Sequence, residues 1–418
     1  MAQVGMALDE PGEAVGVPRS PGWSLRQERA RNERSMRRLC SFWSSRVLAA
    51  ALCTTAMVTV LSPLGSETAQ TRSLPGSQIA AFKGAGPFGL SVAITQTTVF
   101  AGSTNKVDIF AETRSRWGPD GTLEGSGASA HSGFGAALSA SGSTLLVGAA
   151  DQPGGGRVFV FTDKDGKWRQ SSVLVAPRGS RGFGSSVAIS GSTAVVSSEA
   201  GLSAGHVFIF HEALTGRWER LGELTVPGSL PGFDFGITLA ISNTSIVVGS
   251  GNASGYNVYF FQEEKRGWRE VSTGRFPGII SDESSVAISG EYALVGLGSF
   301  GQEFGRVFVF SYTRGAWIQV EWLAEPYARG LEELGTSVAM SGNRAIVGAA
   351  CYQECAGVAY EFTRTEVGWS QVDTLSASDL AAGDYFGVSA AMSGDTAVVG
   401  AFPGRELYLF RIEERGDG

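Results

Sequence analysis

One short phrase recurs along this chain with little change: GFGAALSASGSTLLVGA from Gly133, GFGSSVAISGSTAVVSS from Gly182, ELGTSVAMSGNRAIVGA from Glu333 and DYFGVSAAMSGDTAVVGAF from Asp384. Aligned on Phe-Gly, the repeat occurs at Phe88-Gly89, Phe134-Gly135, Phe183-Gly184, Phe235-Gly236 and Phe386-Gly387, survives as Leu334-Gly335, and has decayed to Asp282-Glu283. Successive spacings are 46, 49, 52, 47, 52 and 52 residues. A fixed period of this size means one supersecondary unit stacked on copies of itself, and the range is that of propeller blades with four strands each.

The four strands are readable in every repeat. A small, alternating segment such as SSVAIS (185–190) comes first, then a tight turn and a second segment such as TAVVSS. A variable loop leads to a third, aromatic strand: VDIF, RVFVF, HVFIF, NVYFF, RVFVF, VAYEF or LYLF. A second turn leads to a fourth strand opened by Trp117, Trp168, Trp218, Trp268, Trp317 or Trp369. Enrichment in Val, Ile, Phe and Tyr between glycines is the strand signal. The first turn reads Ser-Gly at 141–142, 190–191, 289–290, 341–342 and 393–394, and Gly tolerates the positive φ of a two-residue hairpin. Asn243 takes that place in the fourth repeat, and Gln96 departs from it in the first. Size suggests that the small first strands line the crowded centre and that each Trp covers the seam between blades.

The seventh repeat stops after ELYLFRIEERGDG and has no Trp strand. The missing piece sits at the other end, as SQIAAF (77–82) before Phe88. The sequence therefore predicts an all-β, seven-bladed propeller closed by an N-terminal strand that completes the last blade, which removes exposed sheet edges.

Glycine, at 58 of 418 residues, is well above the usual share of about 7%. Hydrophobic residues at 43% exclude a disordered or collagen-like chain, and many tight turns account for the glycine. Formal net charge is −7; residues 1–69 carry eight Arg and six acidic residues, so the rest is near −9. That balance argues against a nucleic-acid partner, which needs a basic face.

Residues 1–35 form a polar leader without apolar periodicity, expected to be disordered. Residues 36–69 begin with Arg37, Arg38 and Arg46, continue through the apolar run Val47–Leu61, and end in Ser, Pro and Gly, the layout of a secretory signal peptide. The 15-residue run is shorter than the roughly 20 residues that span a bilayer. Cleavage within Gly65–Thr71 is expected, with an uncleaved signal anchor as the alternative. The propeller is then 70–412, and 413–418 is a flexible tail. The expected location is secreted or cell-surface, periplasmic or extracellular, with membrane association only if the signal segment stays attached.

The segment WSQVDTLSASDLAAGDYFGVSAAMSGDTAVVGA, Trp369–Ala401, resembles the FG-GAP repeat family, whose blades also build the heads of integrin alpha chains. The resemblance extends in register over about residues 77–410 and is to the secreted and surface proteins of microbes and algae. It implies an adhesion or interaction module. Calcium-binding members carry Asp-rich loops between the first two strands, whereas this chain has a two-residue turn there, too short to supply six or more oxygens. TDKDGKW (162–168) lies between strands three and four and reads as a hairpin turn. No cofactor is expected, and calcium is not.

Chemistry is sparse. His131, His206 and His211 are the three histidines, with no Cys or acidic cluster beside them in sequence. No serine sits in a nucleophile-elbow motif, and DQPGGGR lacks the ending of a phosphate loop. No catalytic or metal site is assigned. Cys351 and Cys355, in GAACYQECAG, read as a loop-stapling disulfide if the chain is exported. Asn243 (NTS) and Asn252 (NAS) are candidate glycosylation acceptors if the source is a eukaryote, and Arg415–Asp417 spells Arg-Gly-Asp on the tail. The function expected is non-catalytic binding or adhesion to an extracellular protein or glycan, through inter-strand loops on one face. The alternatives are a polysaccharide-acting hydrolase or lyase, recognisable by paired carboxylates converging on one face, and a purely structural surface component.

Overall fold

The computed structural model describes residues 78–412, apart from 85, 87, 104, 200–204, 227–233, 253–254, 278–283, 299–304 and 324–332. The leader and signal segments, Asp282-Glu283, the Arg-Gly-Asp tail and the Asn252 side chain lie outside the described residues. The described residues form seven four-stranded antiparallel sheets and no helix. The architecture is an all-β, seven-bladed propeller.

Blade 1 consists of Val92–Ile94, Thr98–Ser103, Lys106–Thr113 and Arg116–Leu123, and blades 2 to 6 repeat this meander. Blade 7 is built from both ends of the ring. Phe386–Ser393, Thr396–Ala401 and Glu406–Arg411 follow in order, and Gln78–Lys83 pairs antiparallel with Glu406–Arg411 as the fourth strand.

The Phe-Gly pair does two jobs. The Phe inserts into its own blade, as Phe134 does against Phe159 and Phe161, and Phe386 against Tyr408 and Phe410. The Gly abuts the second strand of the blade before. A Cβ on Gly348 would lie 2.0 Å from the Gly387 carbonyl oxygen, and one on Gly400 would lie 2.1 Å from that of Gly89, which closes blade 7 on blade 1. Serine hydroxyls donate to the same carbonyls: Ser337 to Gly387 (2.7 Å), Ser285 to Gly335 (2.8 Å) and Ser389 to Gly89 (2.5 Å).

The tryptophans lie where size suggested. Trp168 packs edge-on against Phe100 of blade 1, Trp317 stacks on Phe260 of blade 4, and Trp369 meets Tyr292 of blade 5. Each covers the seam with the preceding blade.

Two further devices repeat around the ring. Three residues after each Trp the outer strand holds one extra residue opposite the third strand: Asp120, Ser171, Leu221, Val271, Val320 and Val372. The closing strand has the same bulge at Ile79. A bulge bends the exposed edge and blunts it as a template for another strand. The second device is a ladder at the first turn, where the Ser of one blade accepts the backbone N–H of the next. Ser141 accepts from Gly191, Ser190 from Asn243, Ser242 from Gly290, Ser289 from Gly342 and Ser341 from Gly394, at 3.0–3.4 Å. Replacing Ser341 with Ala is expected to cost about 0.5–1 kcal/mol, read as a lower urea midpoint at unchanged slope.

Candidate functional site

Strand polarity divides the ring into two faces. The first and second turns of every blade emerge on one side, the hairpin face. The loops between strands two and three, and the linkers between blades, emerge on the other, the loop face.

On the loop face, the loops of blades 2 and 6 are braced by hydrogen bonds to their neighbours. In blade 2 the Gln152 side chain accepts from Ser129 N–H (2.8 Å) and donates to the Gly127 carbonyl (3.1 Å), tying the loop to the linker before it. Phe183 N–H donates to the Gly155 carbonyl at 2.9 Å, tying the same loop to the next blade. In blade 6, Gly383, Tyr385 and Phe386 donate to the carbonyls of Glu354, Cys355 and Ala356 at 2.8–3.1 Å. Cys351 and Cys355 are joined as a disulfide within this loop, and Gln353, Glu354 and Cys355 all take positive φ. The variable residues thus sit on a fixed frame, as recognition loops do.

Three carboxylates from successive blades gather on this face. Asp151 follows the second strand of blade 2, Glu199 that of blade 3, and Asp234 opens the first strand of blade 4. Asp151 and Glu199 are seated alike: each donates its backbone N–H to the residue two before its own blade's Phe, Ser132 and Arg181 respectively. Glu199 lies over Gly182, where even a methyl group would strike it. Its side chain retains solvent exposure, yet partial burial first, and then the charges of Asp151 and Asp234, hold its carboxyl above the ordinary 4.5. Partial burial likewise raises Asp151. The sequence signal for this trio is a carboxylate within two residues of the end of the second strand in two adjacent repeats.

A carboxyl with a raised folded pKa binds protons more tightly in the folded state, so its ionisation opposes folding. The cost of Glu199 is absent below the ordinary carboxylate range and grows as pH rises through the raised value. Glu199→Gln is therefore expected to melt at a slightly higher temperature than the parent at pH 7 and to match it near pH 4. Melting curves at the two pH values check this.

The histidines form no relay with one another. His206 Nδ1 meets Glu223 at 2.5 Å, while His211 Nδ1 lies 3.4 Å from Ser192 Oγ, at opposite ends of the strand His206–Glu212. His131 lies exposed in the linker into blade 2. Asn243 sits exposed in its turn at φ 49°, and Asn252 ends the strand Ser245–Asn252. Among the described residues no group of three or more His, Cys, Asp or Glu is arranged to hold a metal ion.

Blade 7 carries a second cluster, at the latch. Tyr408 is fully buried, and its single hydroxyl proton lies between two carboxylate acceptors, Asp379 Oδ1 (3.0 Å) and Glu406. Lys83 of the closing strand pairs with the same Glu406. Burial first, then these carboxylates, push the Tyr408 phenol well above its ordinary range, so it stays a neutral donor. Tyr408→Phe, which removes the buried hydroxyl donor from this cluster, is expected to lower stability by about 1–3 kcal/mol in chemical denaturation.

Comparison with known proteins places one repeat and the fold. Residues 369–408 match the family model described as FG-GAP repeat. Comparison with curated proteins gives no match. A chain in a solved structure, "Crystal Structure of Mitotic Checkpoint Complex", superposes with a TM-score of 0.58 over 87% of this chain and 100% of its own, at 12% identity, a likeness of fold alone. The matched repeat and the seven blades together support an FG-GAP-type propeller.

Proposed function

We propose that the ring is exported and works as a non-catalytic binding or adhesion module, recognising an extracellular protein or glycan through its loop face. The observation that carries the reading is the contrast between the faces. One presents only short turns, and the other presents loops of differing length and sequence, those of blades 2 and 6 braced to the neighbouring linkers. The Cys351–Cys355 pair supports an oxidising compartment, and the matched repeat supports kinship with adhesion-type blades. The integrin-like character of the module is part of this proposal. The test is binding of the purified chain to an array of glycans and extracellular proteins, with and without chelator. Binding unaffected by calcium removal is the expected result.

The acidic trio favours a second reading, a hydrolase or lyase on polysaccharide. Asp151 and Glu199 hold their protons more tightly than ordinary carboxyls, as a general acid must. Product analysis on any bound polysaccharide separates the two. Chain cleavage abolished by Glu199→Gln supports the enzyme, and binding without products supports the module.

A further inference from the structure

The faces differ in charge as well as in loop length. Every blade places at least one exposed cation on the rim of the hairpin face, from Arg114 in blade 1 and Arg217 in blade 3 to Arg314 in blade 5 and Arg411 in blade 7. The outer hairpins (112–117, 163–168, 212–218, 263–268, 312–317 and 364–369), with 411–412, hold ten Lys or Arg against seven Asp or Glu. The inner turns add Arg344 against Glu291 and Asp395, leaving the face at +2. Residues 78–412 hold 23 Lys or Arg and 31 Asp or Glu, so the rest of the ring is at −10. Over residues 78–412 the charge is polarised, with the positive pole on the hairpin face.

Two outer hairpin tips on that face are aliphatic. Leu214 in blade 3 is fully exposed and Val367 in blade 6 is 94% exposed. They stand three blades apart on the ring, so a small ligand cannot cover both, whereas a broad, flat partner can.

We propose that the hairpin face rests on an anionic lipid surface, with the loop face turned away from it. Lys and Arg near such a surface are attracted by about 1 kcal/mol each, and the attraction weakens with salt. Exposed aliphatic tips add an apolar contribution at the headgroup boundary. The proposal concerns the opposite face from the recognition loops and stands whether or not their ligand is found.

The test is co-sedimentation of the full chain with vesicles of phosphatidylcholine alone or enriched in phosphatidylserine, at low and high salt. The residues before Gln78 are the same in every variant, so comparison between variants isolates the ring. Arg217→Glu, Arg266→Glu and Arg314→Glu together reverse three hairpin-face charges; Arg178→Glu, Arg181→Glu and Arg405→Glu reverse three on the loop face. The hairpin variant is expected to bind anionic vesicles at least about tenfold more weakly, and the loop-face variant, with the same net charge, to bind like the parent. Leu214→Ser with Val367→Ser is expected to weaken binding in the same direction without any change of charge. Equal binding by the two charge variants, indifference of the parent to phosphatidylserine, or a hairpin-dependent affinity for a soluble polyanion such as heparin but not for vesicles overturns the proposal.

Discussion

Deleting residues 78–83 is expected to abolish the cooperative melting of the ring. The strand supplies the outer edge of blade 7, and Phe82 stacks on Phe110 of blade 1 at 4.0 Å between ring centroids. Its removal leaves Glu406–Arg411 as an open edge, exposes the apolar group of Phe88, Phe110 and Leu409, and removes the Lys83 partner of Glu406. The loss is comparable to the whole stability of an ordinary domain, about 5–15 kcal/mol. Aggregation through the opened edge follows from the same geometry. Thermal denaturation together with size-exclusion chromatography reads both outcomes. A monomer that melts cooperatively near the parent's temperature contradicts strand closure as the lock of the ring.

The second large effect is expected at the seams. Gly387 has φ 96°, and a Cβ there would sit 2.6 Å from the Val358 carbonyl oxygen. Gly348, directly opposite, has no room for a methyl group against Gly387. Gly387→Ala and Gly348→Ala are each expected to cost about 3 kcal/mol or more, because backbone rather than a movable side chain must give way. Gly394 provides the contrast. It too has positive φ, 56°, but a Cβ there meets nothing within 4 Å. Gly394→Ala is expected to cost only about 1–2 kcal/mol, the strain of an alanine in the left-handed region. Urea titrations of the three variants separate steric contact from backbone strain.

These two effects also mark where the sequence is legible. The Phe-Gly period places the seams where the pair survives, and SQIAAF reads as the missing strand because strand four is absent after LYLF. The Trp of each fourth strand reveals its seam through size alone. The bulge three residues later does not, because Asp120, Ser171, Leu221 and Val320 share no chemistry and the device is made by backbone. The serine ladder is visible as a repeated letter, but its partner is an N–H about fifty residues away in the next blade. The acidic trio is harder still, since Asp151, Glu199 and Asp234 fall in three repeats and become neighbours only when blades 2, 3 and 4 are side by side. Function is the least legible layer because it rests on residues that the repeats do not share.

The most direct measurement of the central claim is a comparison of faces on one array of extracellular proteins and glycans. One variant replaces the blade 6 loop, residues 351–356, with Gly and Ser of equal length; another adds a bulky label at a cysteine introduced for Asn343, in the first turn of the same blade. The account predicts that the parent binds a defined ligand, that the loop variant loses it, and that the labelled turn leaves it unchanged. Binding that survives loop replacement and fails with the labelled turn, or an array blank for the folded parent, contradicts recognition through the loop face.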